Sequence, residues 1–334
     1  MRSACRTLRD RLGLLLLAVV LAGCGNDTLR SVSLAAQGIY TSALSDDGRL
    51  VVIGSLNHGA SLWRCREHER VYSWNHGEGE YTALTAAAIS ADSSHAVTAD
   101  PRTLVIWDVA TGNADAFWAT PSSVLDLDID NSGRRVLMGL EDHSAVLFDA
   151  DSGSHLLTLL HEGPVTRVAL SIDNQLGMTA SEDGSARIWD LTTGDLKLRV
   201  DASGPIRTAA LSRDGRWLLV AARNAELDLY DVENTRRQAR LRNRNPGVIS
   251  ARFSPAGDVV ALGLVNREAL LFDTGSGREI QSLRLPAKPS LGGGGRAIHD
   301  LAFGDGGTLY AMSGDGTLST LDSGLSLRRP LAGP

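Results

Sequence analysis

The sequence is poor in cysteine, which limits the ways in which its fold can be stabilised. Only Cys5, Cys24 and Cys65 occur among 334 residues, and two of them lie in the first 24 residues. Removal or modification of that segment would leave Cys65 without an intramolecular partner, so we expect no disulfide in the fold. We interpret Cys65 as a small, buried apolar residue.

The sequence also lacks the short motifs of common enzymes and metal sites. It contains no G-x-S-x-G, H-E-x-x-H, C-x-x-C or P-loop pattern. The eight histidines do not stand at metal-ligand spacing, and the acidic stretch 126–133 lacks the glutamate and flanking helices of a calcium loop. We therefore expect no catalytic residues, no cofactor and no metal ion.

Basic residues are outnumbered by acidic ones. The chain has 33 lysines and arginines against 39 acidic residues, and without its first 23 residues it would keep 29 against 38, a net charge near −9. A net negative field attracts neither nucleic acid nor anionic lipid headgroups. We expect no nucleic-acid partner.

The apolar run at the N-terminus is too short to span a bilayer as a helix. It has ten residues, 12–21, and follows a head with four arginines. This order is typical of an export signal. The sequence Leu21-Ala22-Gly23-Cys24 resembles the lipobox of bacterial lipoproteins, which implies cleavage before Cys24 and lipidation of its thiol. Residues 1–23 would be a cleaved signal peptide and 24–27 a lipidated anchor and tether; an ordinary signal peptide or an N-terminal membrane helix is the alternative.

The rest of the chain repeats one short pattern. An aromatic or apolar residue returns at intervals of 41 to 49 residues, and six of the seven copies are followed by aspartate. The seven are Trp63, Trp107, Phe148, Trp189, Tyr230, Phe272 and Leu321. Each unit opens with two apolar residues five positions apart and then a turn such as "SDDG" or "SRDG", which favours a hairpin. The pattern predicts four short antiparallel strands per unit.

This repeat resembles the WD40 family, whose period is about 40 to 45 residues with four strands per propeller blade. A single unit leaves both faces apolar, so the units must pack against one another. The resemblance implies an all-β, seven-bladed WD40-like β-propeller over residues 28–334. We expect residues 28–35 to form the outermost strand of the last blade, with 325–331 as the competing segment.

The family also implies a polar network that fastens each blade. It joins a histidine, a serine or threonine, a turn aspartate and the tryptophan. In the fourth unit these would be His161, Thr179 or Ser181, Asp183 and Trp189, and the second unit offers His76, Asp100 and Trp107. The other units lack the histidine and should rely on packing.

The polar positions that follow the first residue of each inner strand differ between repeats. We expect them to surround the mouth of the central channel. The candidate docking residues are Tyr40, Asp126, Arg167, Arg207, His299 and Asp300. A solvated rim without a partner is the alternative interpretation.

These features favour a non-enzymatic protein-interaction scaffold. The lipid anchor would hold it at a bacterial envelope membrane, facing the periplasm, with a protein partner in the envelope. Gly25 in place of aspartate favours the outer over the inner membrane. The short tether predicts that the face carrying the first-to-second and third-to-fourth turns of each blade lies nearest the bilayer. The alternatives are a hydrolase or lyase at the channel mouth, or a sensor of small ligands or peptidoglycan.

Overall fold

The computed structural model describes residues 28–35, 38–55, 59–77, 83–223, 226–242, 247–285 and 297–325. The predicted signal peptide and Cys24 lie outside the described residues. Within these ranges no helix is both long and apolar enough to cross a membrane.

Within the part of the chain that the structure describes, twenty-eight strands form seven antiparallel sheets of four strands each. This confirms the predicted seven-bladed β-propeller. The first three blades comprise β2 (Ile39–Leu44), β3 (Leu50–Ser55), β4 (Gly59–Arg64) and β5 (Glu69–Trp74); β6 (Ala86–Ile89), β7 (His95–Ala99), β8 (Thr103–Asp108) and β9 (Ala114–Ala119); and β10 (Val124–Ile129), β11 (Arg135–Leu140), β12 (Ser144–Asp149) and β13 (Ser154–Leu160).

The remaining blades follow the same order along the chain. They comprise β14 (Val165–Leu170), β15 (Leu176–Ser181), β16 (Ser185–Asp190) and β17 (Leu196–Asp201); β18 (Ile206–Leu211), β19 (Trp217–Ala222), β20 (Leu227–Asp231) and β21 (Arg236–Arg240); β22 (Val248–Phe253), β23 (Val259–Leu264), β24 (Glu268–Asp273) and β25 (Glu279–Arg284); and β26 (Ile298–Phe303), β27 (Thr308–Ser313), β28 (Thr317–Asp322) and β1 (Thr28–Ser33). One 3₁₀ turn, Asp305–Gly307, precedes β27.

The turn between the first two strands explains the recurring serine and aspartate. In the first blade the Ser45 hydroxyl accepts the N–H of Leu50 at 2.9 Å and donates to Asp47 at 2.6 Å. Asp47 in turn accepts the N–H of Arg49, and Gly48 has a φ of +68°, which favours glycine. The turn therefore closes through its own side chains before any blade packs on another.

The middle strands are buried on both faces because each blade is sandwiched between two others. All six residues of β19 are buried, and the same holds for β23. One apolar cluster joins Val97 and Ile106 of the second blade to Val136 and Phe148 of the third. The core is thus a ring of layers between blades, and no blade encloses a core alone.

The N-terminal strand β1 takes the outermost position of the seventh blade. It runs antiparallel to β28, with Ser33 opposite Thr317 and Val32 opposite Leu318. The chain then passes to the first blade through Leu34, whose N–H donates to Gly316 at 2.8 Å and whose side chain packs with residues of that blade. Of the competing segment 325–331, only Leu325 belongs to the described residues.

Candidate interaction site at the channel mouth

The first strand of each blade lines the central channel. Since strands alternate in direction, all seven inner strands begin at one face and end at the other. We call the first the mouth face; it carries the links between blades. The second, the turn face, carries the first-to-second and third-to-fourth turns. Strand β1 begins at the turn face because it is antiparallel to β28.

The six predicted docking residues divide into two groups. Tyr40, Arg207 and His299 are exposed, with 55% of Tyr40 open to solvent, and Arg167 is part-buried. Asp126 and Asp300 are also part-buried, but their carboxylates are engaged by the protein itself. The docking role of all six stays a prediction.

Asp126 links the third blade to the fourth. Its Oδ2 accepts the N–H of Val168 on the neighbouring inner strand at 2.9 Å. Two residues on, Asp128 accepts the N–H of Leu170 at 2.8 Å, which makes a second bond between the same strands. Burial raises the pKa of Asp126, and Arg167 opposes that rise. These aspartates serve as ties between blades.

Asp300 ties the seventh blade to the first, where the ring closes. Its Oδ2 accepts the N–H of Leu44 in the first blade at 2.6 Å, and its Oδ1 accepts the N–H of Leu301 at 2.8 Å. The guanidinium of Arg252 lies 3.4 Å from the same carboxylate. Burial raises the pKa of Asp300, although Arg252 stabilises its charged form.

Beside these two engaged carboxylates, the other four docking candidates are one aromatic and three basic side chains. Burial and the nearby Arg167 lower the pKa of His299, while Asp300 opposes them. We therefore expect His299 to be neutral at pH 7, and the cationic character of the mouth to come from Arg167 and Arg207.

An ion-pair cluster spans the channel near the turn face. Asp46, in the first turn of the first blade, contacts Arg213 of the fifth blade and lies 3.5 Å from Arg252 of the sixth. Arg252 also donates to the carbonyl of Leu301 at 3.1 Å. Burial and Arg252 lower the pKa of Arg213 to about 10. The sequence does not reveal this cluster, because its acidic and basic residues are more than 160 positions apart and no local pattern records such a pairing.

Two blades contain the histidine network. In the fourth, Nε2 of His161 lies 2.7 Å from Oγ1 of Thr179, which accepts the indole N–H of Trp189 at 2.8 Å, and Nδ1 lies 3.0 Å from Asp183. Burial lowers the pKa of His161. Thr179, and not Ser181, is thus the hydroxyl of this network. Ser181 donates to the carbonyl of Gly163 instead.

The second blade repeats the arrangement. Nε2 of His76 lies 2.8 Å from Oγ1 of Thr98, which accepts the indole N–H of Trp107 at the same distance. Nδ1 of His76 lies 2.6 Å from Thr103 and 3.4 Å from Asp100.

The fifth blade has an ionic tie where the sequence predicted packing alone. Tyr230 stands in the tryptophan position, and Asp228 on the same strand accepts from Arg240 of the outer strand at 2.9 and 3.0 Å. Arg237 lies 3.3 Å from the same carboxylate. Charge therefore joins the third and fourth strands here, in place of a histidine.

One group of side chains in the described ranges has the composition of a metal site. His95, Asp108 and Asp115 of the second blade offer ligand atoms within 4.8 Å of one another. The sequence gives no local sign of this group, because the three residues are brought together by strand pairing.

Comparison with known families gives one match. Residues 153–190, which span the outer strand of the third blade and most of the fourth, match the family described as WD domain, G-beta repeat. No curated protein was found to be significantly similar to the chain. The repeat match and the seven-bladed fold together support the WD40 β-propeller family.

Proposed function

We propose that the protein is a non-enzymatic interaction scaffold, anchored by lipid at a bacterial envelope membrane, that holds an envelope or periplasmic protein at its channel mouth. WD40 propellers commonly serve as protein-interaction scaffolds, so the fold supports interaction in general. Fold alone does not select a partner, because the residues of the site determine what it binds.

The observation that supports the proposal is a contrast within the inner strands. Their lengths are nearly uniform, but their residues at the channel mouth differ between blades. Six of the seven inner strands have six residues and each of those begins with a buried apolar residue, yet Tyr40, Arg167, Arg207 and His299, at the two positions that follow, differ in size and charge. Tyrosine and arginine are enriched at the centres of protein interfaces.

Strand β1 supports the proposed orientation. It begins at the turn face with Thr28, four residues after Cys24. Four residues reach at most about 13 Å, so a lipid on Cys24 would keep the turn face close to the bilayer. The mouth face would then point away from the membrane, towards a partner.

The test is crosslinking in intact cells with mouth variants. We expect Tyr40→Ala combined with Arg207→Ala to abolish a specific crosslinked species, and Arg167→Ala combined with His299→Ala to weaken it. None of these side chains is in the core, so each variant should lie within about 1 kcal/mol of the wild-type free energy of unfolding.

The control is Arg49→Ala, which removes an arginine that is 70% exposed at the turn face. It should leave the crosslinked species unchanged. Survival of the species in every mouth variant, or equal loss in the Arg49 control, would show that the mouth is not the docking site.

A further inference from the structure

We propose that the second blade carries a site for a divalent transition metal, with Nε2 of His95 and carboxylate oxygens of Asp108 and Asp115 as its ligands. The three residues come from three neighbouring strands. His95 on β7 stands directly opposite Asp108 on β8, and Asp115 is the second residue of β9, beside the bulge at Trp107. Their ligand atoms lie within 4.8 Å of one another.

The hydrogen bonds around His95 fix which ring nitrogen bears the proton. The Ser94 hydroxyl lies 2.7 Å from Asp92 and 2.7 Å from Nδ1 of His95. Hydrogen bonds lower the pKa of Asp92 despite its partial burial, so its carboxylate is ionised and only accepts. Ser94 must then donate to Asp92 and accept from Nδ1–H.

Since Nδ1 carries a proton in this arrangement, Nε2 is the ring nitrogen that can offer a lone pair to a cation. Oδ2 of Asp115 lies 3.8 Å from Nε2, so two electron-pair donors face each other at a distance too long for a hydrogen bond. A cation between them resolves the conflict. Two ligands that each lie about 2.0 to 2.1 Å from one tetrahedral ion are about 3.3 to 3.4 Å apart, so the half-exposed Asp115 side chain would move by about half an ångström to share an ion with Nε2.

Neighbouring contacts hold the ligands in position. The N–H and hydroxyl of Thr111 donate to Oδ1 of Asp108 at 2.6 and 2.7 Å. These bonds hold the carboxylate so that its other oxygen, Oδ2, can contact another partner. Gly133 of the third blade lies so close that an added Cβ would be 2.5 Å from the His95 ring. A metal-ligating histidine usually donates its second N–H to a carboxylate, a carbonyl or water, and here Ser94 connects Nδ1 of His95 to the Asp92 carboxylate.

The donor set selects the class of ion. One imidazole and two carboxylates suit zinc or another first-row transition metal better than calcium or magnesium, which prefer oxygen alone. Three protein ligands leave a tetrahedral ion one open position. His95 and Asp115 line a cleft of about 590 Å³ between the second and third blades, so that position opens onto a space large enough for a small ligand.

The test is titration of the purified full chain with Zn²⁺ and, separately, Co²⁺. We expect one Zn²⁺ per chain by calorimetry and a visible absorption band from bound Co²⁺. His95→Gln and Asp115→Asn should each weaken zinc binding by about tenfold or more. Asp115 is half exposed on an outer strand, so its variant keeps the proposal testable if the His95 variant fails to fold.

Two matched controls separate the site from adventitious binding. His155→Gln removes an exposed histidine of the third blade, and Asp151→Asn removes an acid of the same cleft that pairs with Arg134 at 3.1 Å. Both should bind zinc as the wild type does. Less than one zinc per chain, or equal affinity in the His95, Asp115 and control variants, would overturn the proposal. The positive charge between His95 and Asp115 would then be a proton on Nε2.

Discussion

The aspartates of the channel wall stabilise the ring through hydrogen bonds, but burial of their charge costs free energy. Asp128 accepts backbone N–H groups from Leu170 and from its neighbour Ile129. Burial nevertheless raises its pKa to about 6, because it outweighs these bonds and the charge of Arg252. The folded state is therefore favoured most when this carboxyl is protonated, because burial of its charge costs more than the hydrogen bonds return.

Replacement of Asp128 by asparagine should change the pH dependence of stability. The native pKa lies above the unfolded value of 3.8, so the native state binds more protons between about pH 4 and 6, and wild-type stability falls as pH rises through that window. Relative to the wild type, Asp128→Asn should gain about 3 kcal/mol between pH 4 and pH 8. Urea unfolding at a series of pH values measures the difference.

Asp149→Asn provides a control in which the pH dependence of stability should change in the opposite direction. Hydrogen bonds from Ser152 lower its pKa, so the wild type gains stability over Asp149→Asn as pH rises. A flat difference between Asp128→Asn and the wild type across this range would contradict the burial argument.

At the scale of the element, the repeat could be read from the sequence because each unit is built by local chemistry. The turn around Ser45 and Asp47 uses residues within five positions, and such turns recur along the chain. The second inner strand departs from this regularity, since it has four residues, Ala86–Ile89, where the other six inner strands have six.

What the sequence could not predict depends on pairing between elements. Whether Asp126 faces solvent or the N–H of Val168 is decided by the angle between two blades, and periodicity carries no information on that angle. The group at His95 likewise depends on a bulge in the pairing of β8 with β9. The docking assignment of Asp126 and Asp300 therefore overlooked their bonds between blades.

The joint between β1 and the first blade can be tested at Leu34. This side chain is 9% exposed and packs with Ile39, Val51 and Met312, so it contacts both ends of the ring. Leu34→Ala should lower the free energy of unfolding by about 2 to 4 kcal/mol. Leu160→Ala, at a leucine that is 64% exposed, should change it by less than about 0.5 kcal/mol. Equal effects in urea unfolding would show that the closing segment contributes little.

For the whole molecule, the proposed lipid anchor and the position of β1 in the ring together determine which face would lie nearest the membrane. The predicted lipid site is four residues from the start of β1, and β1 lies at the perimeter of the disc. Attachment at the edge of one face would leave the opposite face open to a partner.

Lipidation can be tested with the two cysteines that would remain after cleavage. We expect Cys24→Ser to abolish incorporation of labelled palmitate and to move the protein out of the membrane fraction, because the thiol that accepts the lipid is gone. Cys65→Ser should keep both label and membrane attachment, since Cys65 is buried and only 1% exposed. Palmitate on the Cys24 variant, or its loss from the Cys65 variant, would contradict the assignment.

The place of β1 in the ring also bears on how the chain reaches its native state. Ser31 meets Ser319, 288 residues later in the sequence, and both hydroxyls lie 2.8 Å apart. The first strand to emerge during synthesis or export must therefore wait for nearly the entire polypeptide before its partner exists, and pairing over such separations slows folding. Until then the seventh blade exposes the edge of its third strand, and this interval is when a chaperone or a protease has its best access.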